Sequence, residues 1–340
     1  METKVLLPTA ENINTVGSAL RNGELVGVPT ETVYGLAANA LDGEAVKSIF
    51  EAKGRPADNP LIVHISDISQ IERFDLVSEI PENAKMLMKA FWPGPLTIIM
   101  KKGAVPDEVT AGLDTVAVRF PSHPVTARII TAADVPLAAP SANTSGKPSP
   151  TTARHVLHDM NGRIPYIVDG GACEVGVEST VITVAGETPC LLRPGGVTLE
   201  QLEGVIGHVD VADAVLHQLK EGQTAASPGM KYKHYAPSAH IVLIKADDKK
   251  YIEYVNERAS SGTAALCYDE DCERLSVRTY PYGAKEDYAA QSNRIFDVLR
   301  RIDEDGVKTV YGRCPETGGL AMAVYNRLIR AAGFEVIELA

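Results

Sequence analysis

Four cations stand out in a sequence whose net charge is −11. Lys53 and Arg55 lie two apart in K-G-R-P-A-D-N-P (53–60), where Gly54 and Pro56 oppose helix. On extended backbone alternate side chains share a face, so the spacing predicts that both cations reach one anion. Arginine offers a planar fork to phosphate oxygens and lysine a point charge. Arg119 closes the strand-like run 115–120, and Arg193 follows another in L-L-R-P-G-G (191–196). A lone cation at a sheet edge usually extends to water. Four of them in an acidic protein point to an anion pocket.

Two hydroxyl-rich clusters accompany the cations. P-T-E-T-V-Y-G-L (29–36) follows the apolar run 24–29 directly, and the carboxyl end of a strand is where open α/β sheets take ligands. A plain turn accounts for the same residues. In A-P-S-A-N-T-S-G-K-P-S-P (139–150) Ser141 and Asn143 alternate just ahead of a helix expected from 151. Backbone amides and hydroxyls in such a loop can cradle an anion, although turn chemistry also favours Ser, Asn and Gly. His64, inside the apolar run 61–65, reads by itself as a satisfied core histidine.

The elements that must hold these groups alternate between strand and helix. A helix capped by Thr9 and stopped at Gly23 precedes the run 24–29, and Asp42 caps a second helix that ends by Gly54. Strands are expected at 61–65, 96–100, 116–120, 137–140, 166–168 and 180–184, with helices at 82–91, 124–133, 151–161 and 198–206. This makes an α/β domain over 1–208. Residues 209–238 read as a linker, much of it without periodicity. From 239 to 340 a new β-α-β rhythm predicts a smaller domain with a parallel sheet, because such crossovers join strands in parallel.

Composition narrows the function. With 45% hydrophobic and 23% charged residues the chain is globular, and 33 basic against 44 acidic residues oppose a surface that coats nucleic acid or anionic membrane. The five cysteines are scattered, with no C-x-x-C pair, and read as small buried residues in a reducing, cytoplasmic setting. No apolar run reaches 18 residues. No P-loop, G-x-G-x-x-G, H-E-x-x-H or G-x-S-x-G motif occurs, which removes the usual supports for P-loop, hydride-transfer, zinc-protease and α/β-hydrolase chemistry.

In this order and spacing, P-T-E-T-V-Y-G-L, K-G-R-P-A-D-N-P-L, A-P-S-A-N-T-S-G and L-L-R-P-G-G resemble the YrdC-type threonylcarbamoyl-AMP synthases. S-P-G-M-K-Y-K-H-Y-A-P (227–237) and the C-terminal domain resemble the long, two-domain form of that enzyme. The resemblance implies a twisted open α/β sheet with a concave basic pocket, followed by a Rossmann-like domain. It implies a nucleotidyltransferase that takes L-threonine, bicarbonate or CO2, and ATP, and makes threonylcarbamoyl-adenylate and pyrophosphate. A separate complex then transfers the group to tRNA, and direct tRNA binding is expected to be weak or indirect.

By the same matching Lys53 and Arg55 stand at the family's catalytic K-x-R, and Ser141 and Asn143 at its S-x-N. Arg55, Asn59, Thr115, Ser141, Asn143, Ser149 and Arg193 are the implied ATP contacts, and Thr32, His64, Arg119 and Ser179 the implied threonine contacts. Mg2+ would arrive with ATP, held mainly by the substrate, with no metal ligand in the protein. Lys231 to Tyr235 alternate cations with aromatics, which suggests a lid whose Tyr232 or His234 touches the nucleotide. Two other readings use the same residues: an RNA-binding module, or a carbamoyl or adenylyl transferase with another substrate.

Overall fold

The computed structural model describes residues 2–217, Tyr235 and 237–339. Two compact units divide them. The first takes the residues up to Ser145, Ser149–Glu174 and those from Glu178 to 217; the second takes Gly146–Pro148, Val175–Val177 and the described residues from Tyr235 onward.

The first unit is built on one mixed sheet. Its strands are β1 (Lys4–Leu6), β2 (Val26–Val28), β3 (Gly35–Asn39), β4 (Ile62–His64), β5 (Leu96–Lys101), β6 (Thr115–Arg119), β7 (Leu137–Ala138), β8 (Tyr166–Val168), β9 (Thr180–Thr183), β10 (Cys190–Arg193) and β11 (Asp210–Val211). They lie in the order β1-β8-β2-β3-β7-β4-β6-β5-β9-β10-β11. Helices Ala10–Arg21 and Pro124–Ala133 bury Val16, Leu20, Ile129 and Ile130 against Val26, Val28 and Val168 of the sheet. Each such side chain contributes about 1.5–3 kcal/mol by leaving water.

Two of these strands have little sequence signal. β1 is a short edge strand with mostly exposed residues. β3 begins at Gly35, inside the cluster read above as a polar turn, and runs antiparallel to β2 with Gly35 opposite Val28. The hydroxyls of residues 30–32 therefore occupy a tight β2–β3 connection rather than the end of a β-α crossover.

Helix Gly43–Lys53 starts as expected at Asp42, whose Oδ1 accepts from Glu44 N (3.0 Å) and Ala45 N (3.3 Å). Its end also falls where expected. Lys53 is the last helical residue, and Gly54 closes the helix in the left-handed conformation at φ 62°. Glycine reaches that region without steric penalty, so it caps the helix after Lys53. Lys53 and Arg55 do not alternate along one extended face.

The second unit is the parallel sheet that the β-α-β rhythm predicts. Strands β12 (His240–Lys245), β13 (Thr263–Cys267), β14 (Arg278–Pro281), β15 (Thr309–Arg313) and β16 (Val336–Glu338) lie in the order β14-β13-β15-β12-β16, all pairs parallel. Helices Asp248–Glu257, Tyr288–Glu304 and Ala321–Ala331 form the main crossovers. Among the described residues no helix is long and apolar enough to cross a membrane.

Asp42 can be tested as the cap of the helix that delivers Lys53. Asp42→Ala should lower the unfolding free energy by about 1 kcal/mol in a urea titration, the usual worth of an N-cap. An unchanged midpoint would show that tertiary packing alone holds the helix start.

Candidate active site

A single register line across five neighbouring strands gathers the polar residues. His64 on β4 pairs with Arg119 on β6, Arg119 with Thr97 on β5, Thr97 with Val181 on β9, and Val181 with Arg193 on β10. Side chains of register partners share a face of the sheet, so His64, Arg119, Thr97 and Arg193 belong to one row. Ser179 joins them two residues before Val181. Its hydroxyl lies 2.8 Å from Thr97 Oγ1 and accepts from Arg193 Nη2 at 3.1 Å, while Arg193 Nε donates to Ser179 O at 3.0 Å. The next register line is apolar: Ile62, Ala117 and Ile99 form a core cluster with Val181 and Leu192.

Arg193 enters this row because the β9–β10 ladder is irregular. Leu191 pairs with Ile182, yet Val181 pairs with Arg193 rather than Leu192. The extra residue re-aims the arginine to the face that carries Thr97 and Ser179. The turn after it approaches just as closely: a Cβ on Gly195 would lie 2.4 Å from Thr180 N and 2.5 Å from Glu178 O. Only glycine allows that backbone contact.

Arg119 sits at the centre and is buried. Its Nη1 donates to Thr32 Oγ1 at 2.8 Å, its Nε to Gly94 O at 3.4 Å, and its Nη2 lies 2.6 Å from Glu31 Oε1. Both side chains of the ion pair are only 4% exposed. Thr30 holds the connection that presents Glu31 and Thr32: its hydroxyl donates to Val33 O at 2.6 Å and accepts from the amides of Thr32 and Val33 at 3.2 Å. Burial pushes the Glu31 carboxyl up most strongly, but the Arg119 charge, hydrogen bonding from Arg119 and the nearby backbone amides together hold it below the ordinary carboxylate value.

His64 is neutral. Burial, with the nearby Arg119 charge, lowers its pKa to about 3. Its Nδ1 lies 3.0 Å from Ile62 O, a carbonyl acceptor, which favours the tautomer with the proton on Nδ1, and the Leu137 backbone also interacts with the ring. The Cys173 thiol, close enough to feel both Glu31 and Arg119, is pushed up to about 12 by burial and is unreactive.

A second group forms around the C-terminus of helix 43–53. Buried Lys53 donates from Nζ to the carbonyl oxygens of Ser141 and Asn143, the latter at 2.6 Å. Ser141 Oγ donates to Asn143 Oδ1 at 2.5 Å, and Asn143 Nδ2 to Thr144 O at 2.8 Å. The structure thus ties Lys53 of the K-x-R motif to the backbone of the S-x-N loop. Arg55 donates to Asn59 O at 3.2 Å and lies 5.8 Å from the Phe50 ring centre. The Asn59 side chain is fully buried and neither amide atom meets a hydrogen-bond partner. Buried Ser149 donates to the Glu178 carboxylate.

Thr115 is not in the row. It starts β6 whereas Arg119 ends it, about 13 Å apart at ~3.3 Å per residue. Tyr232 and His234 lie outside the described residues, as does most of the expected lid. Glu31, Thr97 and Glu178 were not singled out from sequence. Thr97, the one hydroxyl in an apolar strand, was the readable signal; the partners of Glu31 and Glu178 are distant in sequence.

In the second unit a cavity of about 240 Å³ opens beyond the carboxyl ends of β12, β13 and β15. Its cations are already paired: Arg313 bonds Asp271 at 2.9 and 2.6 Å, and Lys285 bonds Asp248 at 3.0 and 3.1 Å.

Comparisons agree with this architecture. The family model Sua5_yciO_yrdC, described as "Telomere recombination", matches residues 18–195. The chain belongs to that family. A second model, "Threonylcarbamoyl-AMP synthase, C-terminal domain", matches residues 197–333. The threonylcarbamoyl-AMP synthases of Pyrococcus abyssi and Bacillus subtilis are each 46% identical to the chain over 96% of its length, covering 96% and 94% of their own. The crystal structure of P. abyssi Sua5 complexed with L-threonine matches with a TM-score of 0.91 at 44% identity, over the whole of both chains. The family's two-domain organisation, expected from the motifs, holds for this chain.

His64 has a measurable consequence. Unfolding exposes an imidazole with a pKa near 6.5, so between that value and about 3 the unfolded chain binds a proton that the native state does not. His64 therefore withdraws stability as pH falls through this window, with a limiting slope of about 1.4 kcal/mol per pH unit. His64→Asn should make the loss of stability in that window shallower in denaturant titrations. An equal slope in both proteins would show that native His64 takes up the proton.

Proposed function

We propose that this chain is a threonylcarbamoyl-AMP synthase. It joins L-threonine, bicarbonate or CO2, and ATP into threonylcarbamoyl-adenylate with release of pyrophosphate, a nucleotidyl transfer. The observation that carries the reading is the row His64–Arg119–Thr97–Ser179–Arg193 with Thr32 beside it. Full-length relatives bearing that name support it. A tRNA-modifying complex would consume the product.

In this reading Arg119 receives the threonine carboxylate, and Thr32 and His64 meet its hydroxyl. A site built to hydrogen-bond a hydroxyl rejects valine far more strongly than shape alone would. Ser179 and Arg193 bridge towards the nucleotide. Asn59, Ser141, Asn143 and Ser149 take ATP, and Asn59 supplies the clearest support, since a buried amide without partners is costly until a ligand satisfies it. Thr115 would reach only the far end of such a ligand.

The chemistry suits these groups. Threonine's nitrogen, once it has lost its ammonium proton to water, adds to CO2 and releases a second proton to give a carbamate that is anionic at neutral pH. A carbamate oxygen then attacks the α-phosphorus in line, and the bond to the leaving pyrophosphate breaks. Catalysis then rests on positioning and on cations that meet charge growing on phosphoryl oxygens. Arg55 offers the fork, and Lys53 adds a fixed charge while anchoring the S-x-N loop from behind. Mg2+ would arrive with ATP and be held mainly by the substrate's own phosphates. The bound Mg2+ would neutralise phosphate charge.

Pyrophosphate release measured with ATP, L-threonine and bicarbonate, each omitted in turn, tests the reading. Release that requires all three is expected. Release without threonine would point to another adenylylated acid, and none under any combination from folded protein would leave a binding module. Lys53→Ala and Arg55→Ala should each slow release by roughly a hundredfold, the scale of losing one preorganised donor. Near wild-type rates would remove them from the site.

A further inference from the structure

We infer that Glu31 receives the α-ammonium group of the amino-acid substrate while Arg119 receives its carboxylate, so that the buried ion pair is a receptor for a zwitterion. The inference rests on the synthase reading and adds a recognition residue to its threonine subsite.

The charge arrangement comes first. Arg119 Nη2 lies 2.6 Å from Glu31 Oε1, so the guanidinium is already neutralised by a neighbour. A carboxylate that approaches Arg119 alone also meets the Glu31 charge at short range, and the repulsion offsets much of the attraction. An α-amino acid carries its ammonium and carboxylate on one carbon. It can lay opposite charges against both members of the pair at once.

The acceptors come second. Both Glu31 oxygens are closed to water, and neither meets a donor in full hydrogen-bond geometry. The backbone amides of Glu31 and Ser122 lie near enough to lower its carboxyl but do not complete such bonds. Buried carboxylates elsewhere in the chain are treated differently: Asp271 takes two bonds from Arg313, and Glu178 takes the Ser149 hydroxyl. A buried carboxylate left short of donors is destabilising. An ammonium brings three donors.

The neighbours come third. The Glu31 charge reaches His64 on β4, His123 at the start of helix 124–133 and Cys173. Burial lowers both histidines and raises the thiol, so all three are neutral at pH 7. Among these groups Glu31 is the anion available to an ammonium. The Thr30 turn fixes Glu31 next to Thr32, so the charged and hydroxyl-reading groups move together.

Calorimetric titration of the full chain without ATP tests the inference, with L-threonine and with 2,3-dihydroxybutanoate, in which a hydroxyl replaces the ammonium. Wild type should prefer L-threonine. Glu31→Gln should weaken L-threonine binding by roughly thirtyfold or more, the scale of removing one partner of a buried charge pair. The same variant should bind dihydroxybutanoate as well as, or better than, wild type, so the preference collapses. Equal loss for both ligands would make Glu31 a purely structural partner and overturn the inference, as would unchanged threonine affinity. If Glu31→Gln does not fold, Glu31→Asp keeps the charge one methylene further back. It should weaken threonine yet keep the preference, and loss of the preference would overturn the inference. A wild-type chain that binds no L-threonine would instead overturn the synthase reading.

Discussion

A guanidinium held inside a β-sheet must be met by fixed partners, and Arg119 organises much of the first unit around that demand. Removing a charge from water is expensive, and a buried ion pair is often no more stabilising than apolar residues of the same size. The Glu31–Arg119 pair at 2.6 Å is therefore better understood as a recognition device than as a staple. Thr32, Gly94 and the Thr30 turn hold it in place. The strands then carry the same line outward, to His64 on one side and to Thr97, Ser179 and Arg193 on the other. A slip of one residue in any of these ladders would turn its polar member to the opposite face.

The motifs were legible because polar residues that interrupt apolar runs are conspicuous. Local chemistry was equally readable: Asp42 as a cap and Gly54 as a helix stop. What sequence could not show was non-local. The Arg193 register depends on a ladder irregularity between β9 and β10, and no residue type announces it. Glu31 looked like one more polar residue in a turn because its partner is 88 positions away. The expected alternation of Lys53 and Arg55 on extended chain fails because Lys53 is still helical and the left-handed Gly54 separates it from Arg55.

The two units use charge in contrasting ways. At the candidate active site of the first unit Lys53 bonds carbonyl oxygens, Arg193 bonds Ser179, and Arg119 pairs with Glu31. In the second, Arg313 and Lys285 are matched by Asp271 and Asp248 at the carboxyl edge of a parallel sheet. The polar cavity of the C-terminal unit thus has its cations already paired, while in the first unit the buried Asn59 amide atoms meet no hydrogen-bond partner.

The most direct test of this account is a crystal structure of the chain with L-threonine bound. The account predicts the amino acid over the line formed by His64, Arg119, Thr97 and Ser179, with its carboxylate on Arg119 and its hydroxyl near Thr32 and His64. Threonine bound elsewhere, with the Glu31–Arg119 pair and its surroundings untouched, would contradict it.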